Sequence, residues 1–325
     1  MVELIFCSVE KPQSSVYAMI ICSRECRHNS KVHKTACGDN MLYIFRLMAY
    51  NSRTVMKDKK TVYYTDEQND EFSSAKITPG KIDGSYRYVR DGFFARIFSF
   101  IMYRLIFMPW SFVYLKIKYG FSIKNRKVIK QAKDGFFLYG NHTTSDADPY
   151  VPTMVAFPKD VHVVVAPANV YIPVIGKIVR YIGALPLPDD MEATHNFISA
   201  IEKRCEQKKA ICIYPEAHIW PYCTFIRNFK DQSFRYPIKY DKPVFCFTNV
   251  YSKRKRKTPR MTTYVDGPFY ADKSLPVAAA RKKLRDEVFA AMTERSKLSD
   301  YDGIVYVKAT GNGENPDGEN KADNK

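Results

Sequence analysis

The sequence predicts an α/β fold in which a largely parallel sheet is flanked by helices and preceded by a pair of amphipathic helices. Short apolar runs typical of buried strands alternate with segments of helical period along residues 131–310. Before them, residues 93–119 are rich in aromatic and aliphatic side chains. The chain has 325 residues, of which 46% are hydrophobic, and this suffices for one large core.

The first 55 residues differ from the rest of the chain because they sustain no apolar period. Their cysteines and histidines include a group that could in principle bind zinc, at Cys22, Cys26, His28, His33 and Cys37. The spacing fits no standard zinc pattern, so we expect no metal there. We prefer the interpretation that Met56 is the true start and that residues 1–55 are not translated. Residues 56–92 then form a polar N-terminal segment.

Residues 93–130 are predicted to be amphipathic helices that associate with a membrane. Arg96 and Arg104 interrupt the apolar run and Pro109 is expected to kink a helix, so the run lacks the roughly 18–20 uncharged residues of a clean span. An interfacial helix pair fits better, with apolar side chains in the acyl boundary and the basic flank among anionic headgroups. The alternative is a helix buried against the main domain, but the composition favours the membrane.

Residues 131–310 are predicted to form the main domain, and residues 311–325 a disordered tail without large apolar side chains. Four apolar runs are typical of buried strands, at 135–140, 161–166, 210–214 and 243–250. Helical periods run through 194–205 and 277–292.

The charge balance favours polyanionic partners. Lys and Arg number 51 against 34 Asp and Glu, which gives a formal net charge of +17 and suits phosphates, acidic lipids or nucleic acid. The basic run 253–257 is typical of a solvated loop, and it also suits an acidic lipid surface. Eight cysteines without paired spacing, and no secretory signal, predict a reducing compartment.

A histidine follows the first predicted strand of the main domain. His142 comes directly after Asn141, and Asp146 and Asp148 lie a few residues further on. Such loops at strand ends are where α/β folds place their sites. A carboxylate can fix the tautomer of an imidazole so that its other nitrogen removes a proton from a hydroxyl. Alone, such a pair is more often a satisfied surface or core histidine.

Glu216 occupies the corresponding position after the third predicted strand, in Tyr214-Pro215-Glu216. Because the ends of parallel strands converge on one edge of a sheet, Glu216 and His142 are expected to share a cleft. The alternative is an ordinary turn.

Together these segments resemble the PlsC-type glycerophospholipid acyltransferases, which include the lysophosphatidate (1-acylglycerol-3-phosphate) acyltransferases. Asn141-His142 resembles the first block of that family and Tyr214-Pro215-Glu216 the third. Residues 172–176 with 183–186 resemble the second block, and 242–246 the fourth. The resemblance covers about residues 135–268, and four blocks in the family's order are more specific than any one.

The chain departs from the family pattern at three places. Family spacing would put the aspartate at Ala147, so Asp146 and Asp148 are the candidates, and the apolar helix start after Asp148 favours that residue. The family's Gly-Thr-Arg after the glutamate is Ala217-His218-Ile219, and no arginine follows 183–186. Arg227 or Lys230 is expected to meet a phosphate instead.

The resemblance implies transfer of a fatty acyl group from acyl-CoA or acyl-carrier protein to the free hydroxyl of 1-acylglycerol-3-phosphate in phospholipid biosynthesis. It implies His142 as general base and Asp148 as its orienting partner. Substrate binding is expected at Asn141, Thr143, Pro173, Gly176, Glu216, Arg227 and Lys230, with oxyanion donors near 173–176. We expect no cofactor and no metal. The partners are then a lysophospholipid acceptor, an acyl thioester and the anionic surface of the cell membrane, with the protein peripheral or monotopic on the cytoplasmic face.

Two alternatives stay open. The acceptor is glycerol-3-phosphate or another lysophospholipid in the first, and in the second the protein is a non-enzymatic basic protein that binds membrane or nucleic acid. For the enzyme we expect no nucleic acid partner and no acyl-enzyme intermediate. None of the cysteines in the main domain lies in a motif that would activate a thiolate.

Overall fold

The computed structural model describes residues 59–73, 80–172 and 175–309. The Cys/His-containing segment at 1–55, the tail at 311–325 and Pro173 lie outside the described residues.

The described residues contain nine strands, seven of which form one central sheet. The strands are β1 (Lys60–Tyr64), β2 (Ser122–Lys124), β3 (Phe136–Gly140), β4 (Val161–Val165), β5 (Ala184–Pro186), β6 (Ala210–Ile213), β7 (Val244–Ser252), β8 (Arg260–Phe269) and β9 (Ile304–Lys308). The order in the central sheet is β2-β8-β7-β3-β6-β4-β5, and only the β7–β8 pair is antiparallel. The predicted largely parallel sheet is confirmed.

The central strands come from the apolar runs of the sequence. All five residues of β3 and all four of β6 are buried, as expected for parallel strands covered on both faces. Leu138 of β3 pairs with Cys212 of β6 on one side and with Phe245 of β7 on the other. The carboxyl ends of β3 and β6 are therefore neighbours, and the segments with His142 and Glu216 begin there.

Helices flank the sheet, as predicted. They are α1 (Phe93–Tyr119), α2 (Val151–Ala156), α3 (Ile175–Val179), α4 (Met191–Glu206), α5 (Arg235–Lys239) and α6 (Val277–Ser296). Asp190 caps α4, because its side chain accepts a hydrogen bond from the amide of Ala193 at 2.8 Å. The buried face of α6 follows the predicted period through Ala280, Leu284 and Val288, while Val277 is exposed.

Helix α1 is one continuous helix and not the expected pair. Its middle, Ile101–Phe107, is π-helical, and Pro109 comes in the first turn after it. Proline cannot donate an amide hydrogen bond and its ring collides with the carbonyl four residues earlier, so a locally wider helix accommodates Pro109 without a break. The helix ends at Gly120, which has φ +57° and donates its amide to the carbonyl of Lys116 at 3.0 Å.

β1 and β9 form a separate parallel two-stranded sheet. Tyr306 of β9 stacks on Trp220, with ring centroids 4.9 Å apart, and its hydroxyl donates to the carbonyl of Pro221 at 3.0 Å. The indole of Trp220 in turn donates to the carbonyl of Asp70 at 2.7 Å. Strand β9 and the described part of the polar N-terminal segment around Asp70 thus pack on the loop that follows β6.

Candidate active site

Asn141 joins the end of β3 to β7. Its side-chain Nδ2 donates to the carbonyl of Asn249 at 3.1 Å, and its Oδ1 accepts from the amide of Asn249 at 2.8 Å. The side chain is buried, and the Asn249 side chain accepts a further bond from the hydroxyl of Thr263 at 2.7 Å. Asn141 therefore fixes the start of the loop that carries His142.

His142 contacts Asp148, the aspartate that the sequence favoured. Nδ1 of His142 lies 2.7 Å from Oδ2 of Asp148. The same carboxylate is buried and accepts hydrogen bonds from the amides of Thr143 and Thr144, both at 3.0 Å, and from the hydroxyl of Thr144 at 2.9 Å. An acceptor-only carboxylate next to Nδ1 selects the tautomer with the proton on that nitrogen, so Nε2 is left as an acceptor.

The imidazole ring is supported from one side and stays accessible. It stacks on Tyr214, with ring centroids 4.4 Å apart and an interplanar angle of 18°. The Tyr214 hydroxyl donates to the carbonyl of Asp148 at 2.7 Å, which joins the segment after β6 to the loop after β3. The His142 side chain keeps 19% of its surface exposed, enough for a substrate to reach the ring.

Asp146 faces a different set of partners. The hydroxyls of Tyr114 and Tyr119 donate to its carboxylate at 2.6 and 2.7 Å, and Lys118 forms a salt bridge with it. All three partners belong to α1. Asp146 thus connects the loop to α1, and among the two candidate aspartates only Asp148 contacts the imidazole.

Glu216 lies in the same site and contacts the backbone of the loop after β3. Its Oε2 accepts from the amide of His142 at 3.0 Å and from Nη2 of Arg227 at 2.9 Å, while Oε1 accepts from the amide of Arg227 at 3.0 Å. Both side chains are 1% exposed, and burial raises the pKa of Glu216. The Arg227 guanidinium lies over the ring of Trp220, 4.8 Å from its centroid. Contact of Glu216 or Arg227 with substrate stays a prediction, and their visible effect is to position His142.

The remaining predicted substrate-binding residues differ in burial and in contacts. The Thr143 hydroxyl is buried and lies 2.6 Å from that of Tyr251. Lys230 is exposed. The amide of Gly176 donates to the carbonyl of Ile172 at 2.7 Å, and a Cβ at Gly176 would lie 2.3 Å from the carbonyl oxygen of Val170, so this glycine allows close packing. The oxyanion donor expected near 173–176 stays a prediction.

The four described cysteines are buried and free. Burial raises the pKa of Cys205 to about 11 and that of Cys223 to about 12, and it raises the pKa of Cys212 and Cys246 as well. A thiol with a raised pKa is a poor nucleophile at neutral pH. Within the described residues, the imidazole of His142 is better suited to start a reaction than any thiol.

Comparison with known proteins supports this assignment. Residues 121–248 match the family model described as Acyltransferase, and this stretch holds both His142 and Glu216. By this match, residues 121–248 are an acyltransferase domain. The resemblance found in the sequence is thereby confirmed at the level of the family, and the matched region begins at β2, within the segment expected to be helical.

Two further comparisons concern solved structures and curated protein sequences. The crystal structure of PlsC from Thermotoga maritima, a 1-acyl-sn-glycerophosphate (LPA) acyltransferase, is similar to this chain with a TM-score of 0.41 and 13% identity. The similarity covers 62% of this chain and 95% of that one. Comparison with curated protein sequences finds no match.

The sequence did not point to Thr144, Trp220 or the tyrosines that hold Asp146. Thr144 had a local signal, because an aspartate side chain near a turn often accepts a hydrogen bond from a backbone amide a few residues away, as Asp148 does from Thr144. Tyr114, Tyr119 and Trp220 act through tertiary contacts and have no such signal in the sequence.

Proposed function

We propose that this acyltransferase moves a fatty acyl group from a thioester to the free hydroxyl of a lysophospholipid, with His142 as the general base. The supporting observation is the contact between His142 Nδ1 and Asp148, which leaves Nε2 as the accepting nitrogen of a ring with an accessible edge. Asp148 orients the ring and stabilises the imidazolium form. Glu216 and Asn141 both hold the backbone at the start of the loop, directly at His142.

In the proposed reaction, Nε2 removes the proton of the acceptor hydroxyl while the oxygen attacks the carbonyl carbon of acyl-CoA or acyl-carrier protein. The tetrahedral intermediate collapses, the carbon–sulfur bond breaks, and the imidazolium returns the proton to the leaving thiolate. The products are an ester and a free thiol, and no covalent acyl-enzyme forms.

We propose 1-acylglycerol-3-phosphate as the acceptor. The net charge of +17 favours a phosphate-bearing substrate. Arg227 is buried against Glu216, whereas Lys230 is an exposed cation on the same loop and is better placed to meet a phosphate from solvent. Glycerol-3-phosphate and other lysophospholipids are the alternatives that an acceptor panel separates.

Helix α1 supports a membrane location. It has 27 residues and is the one helix of the described residues that is long and apolar enough to cross a membrane by length and composition. Its beginning is strongly exposed, with Phe93 at 72% and Phe94 at 83% of full exposure. We propose that α1 lies in the interface on the cytoplasmic face, with these side chains in the acyl boundary and the lysine-rich stretch after it near anionic headgroups.

The test uses the full chain in lipid vesicles, one labelled acyl-CoA and a panel of 1-acylglycerol-3-phosphate, glycerol-3-phosphate and lysophosphatidylcholine. His142→Ala is expected to lower transfer by a factor on the order of 10² to 10⁴, the usual contribution of a general base. The matched control is His195→Ala, since His195 is exposed on α4 and lies outside the site. Full activity of His142→Ala, or no transfer by the unmodified chain to any acceptor, would refute the proposal.

A further inference from the structure

A polar pocket lies outside the candidate active site. It has a volume of about 390 Å³ and is lined by the segment ahead of α1 together with Tyr171 and Arg180. Four of its side chains are basic, Lys81, Arg87, Arg90 and Arg180, against the single carboxylate of Asp83. None of the four forms a salt bridge within the described residues, so the pocket carries excess positive charge.

Aromatic rings and a backbone carbonyl hold the inner arginines of this pocket in place. Arg180 lies 5.3 Å from the ring centroid of Tyr86 and donates to the carbonyl of Val170 at 3.0 Å. Its Nε is buried and has no hydrogen-bond partner among the described residues. Arg90 lies 5.6 Å from the ring centroids of both Tyr86 and Tyr181. Aromatic faces fix these cations without neutralising them, which leaves donors for an anion.

The pocket adjoins the exposed beginning of α1. Arg90 precedes Phe93 by three residues, and Phe98 of α1 packs edge-on against Tyr181 with centroids 4.9 Å apart. The hydroxyl of Ser99 also donates to the carbonyl of Tyr181. A ligand in the pocket therefore lies beside the side chains that we place in the acyl boundary.

We infer that this pocket binds the terminal phosphate of a membrane lipid. A phosphate monoester carries a charge of about −1.5 to −2 at neutral pH and offers three acceptor oxygens, which several guanidinium and ammonium groups satisfy together. The exposed phenylalanines beside the pocket match the acyl chains of the same lipid. The inference rests on the proposed membrane location of α1, but it uses residues separate from His142 and its partners, so its test does not depend on acyl transfer.

The test measures binding of the full chain to phosphatidylcholine vesicles that contain either phosphatidic acid or phosphatidylglycerol at equal surface potential. The unmodified chain is expected to prefer phosphatidic acid, whose phosphate is terminal. Lys81→Gln with Arg87→Gln is expected to weaken that binding about 30-fold and to remove the preference, at roughly fivefold for each charge near an anionic surface. Both side chains are exposed and make no described hydrogen bonds, so the fold should persist.

The control removes two exposed charges elsewhere, by Lys133→Gln with Lys282→Gln, and is expected to change binding less than threefold, since these charges lie outside the pocket. Inorganic phosphate serves as a second probe through the thermal unfolding midpoint. If inorganic phosphate stabilises the unmodified chain but not the pocket variant while both lipids bind equally, the pocket takes free phosphate and the lipid inference is wrong. Equal loss of vesicle binding in the pocket and control variants would also overturn it.

Discussion

Asp146 and Asp148 are two residues apart, yet only one of them contacts the imidazole. Asp148 accepts from His142 and from three donors of Thr143 and Thr144, so its carboxylate is held in place from several sides. Asp148→Asn would present an amide in place of an acceptor and favour the wrong histidine tautomer. We expect acyl transfer to fall by a factor on the order of 10² to 10⁴.

Asp146→Asn is the comparison that isolates this effect, because it changes the same chemical group two residues away. Its loss of activity is expected to be much smaller. The measurement is initial rate against acceptor concentration for both variants, with circular dichroism to check folding. A greater loss of activity in Asp146→Asn than in Asp148→Asn would mean that Asp146, and not Asp148, orients His142.

Ala217 follows Glu216 with φ +64°, a conformation that favours glycine. The family pattern has glycine at this position, so the chain retains the backbone turn without the residue that suits it. Ala217→Gly is expected to raise the free energy of unfolding by about 0.5–1 kcal/mol, since relief of the left-handed strain exceeds the added flexibility of the unfolded chain. Urea unfolding measures it.

The control for Ala217→Gly is the same substitution in ordinary helical backbone. Ala290 is exposed in the interior of α6, where Ala290→Gly is expected to lower the unfolding free energy by about 1 kcal/mol. Changes in unfolding free energy of opposite sign for the two variants support backbone strain at Ala217, and changes of equal sign contradict it.

Much of the site could be predicted at this scale because its residues follow strands directly. His142 and Glu216 come within three residues of β3 and β6, and parallel pairing brings those ends together. The choice of Asp148 over Asp146 also followed from a local pattern. The burial of Arg227 against Trp220 could not be predicted, because it depends on how the loop after β6 folds back.

The carboxyl end of helix α1 contacts both the loop after β3 and the basic run 253–257. Tyr114, Tyr119 and Lys118 bind Asp146. Arg254 donates to the carbonyl of Lys118, and Arg256 donates to that of Ile117 at 3.2 Å. Cations at the carboxyl end of a helix complement its dipole and its free carbonyls. Part of the basic run therefore caps a helix.

The attachment through Asp146 predicts a pH dependence of stability. Burial alone would raise the pKa of Asp146, but the charge of Lys118 and the hydrogen bonds from Lys118 and the two tyrosines lower it. A lowered pKa in the folded state means that the stabilisation is present above the unfolded value of about 3.9 and is lost as the pH falls below it. Asp146→Asn is expected to cost about 1.5–3 kcal/mol at pH 7.

The difference in unfolding free energy between Asp146→Asn and the unmodified chain should shrink as the pH falls from about 5 towards 3. Urea unfolding followed by circular dichroism across that range measures it. A difference that stays constant with pH would mean that Asp146 contributes no charge-dependent stabilisation.

Among the helices and strands, those with a clear hydrophobic pattern can be predicted from the sequence, whereas short strands that form only through pairing with a neighbour cannot. The runs that became β3, β4, β6 and β7 are apolar enough to be recognised alone. β2 and β5 have only three residues each and become strands through their neighbours in the sheet. The kink expected at Pro109 is absorbed by the π-helical turn, which local propensity does not indicate.

At the scale of the whole molecule, the exposed apolar surface of the described residues is concentrated at the beginning of α1. Phe93, Phe94 and Phe100 are each at least 60% exposed, and Ile97 and Phe98 are 43% exposed. A patch of this kind on a chain of net charge +17 marks an interaction surface, and an anionic bilayer satisfies both features together. The acyltransferase would then draw a lipid acceptor from the surface to which it is bound.

The double variant Phe93→Ser with Phe94→Ser tests whether α1 binds a membrane surface. Each phenylalanine that enters the acyl boundary contributes roughly 1 kcal/mol or more, so the double variant is expected to bind anionic vesicles at least about tenfold more weakly. Both side chains are exposed, and the unfolding midpoint should therefore change little.

The matched control is Tyr270→Ser with Leu298→Ser, which removes two exposed apolar side chains away from α1. Transfer to an acceptor in vesicles should fall with vesicle binding, while transfer to a short-chain acceptor in solution should not, because His142 and Asp148 are untouched. Equal vesicle binding by the α1 variant and its control would show that the surface of α1 faces a different partner.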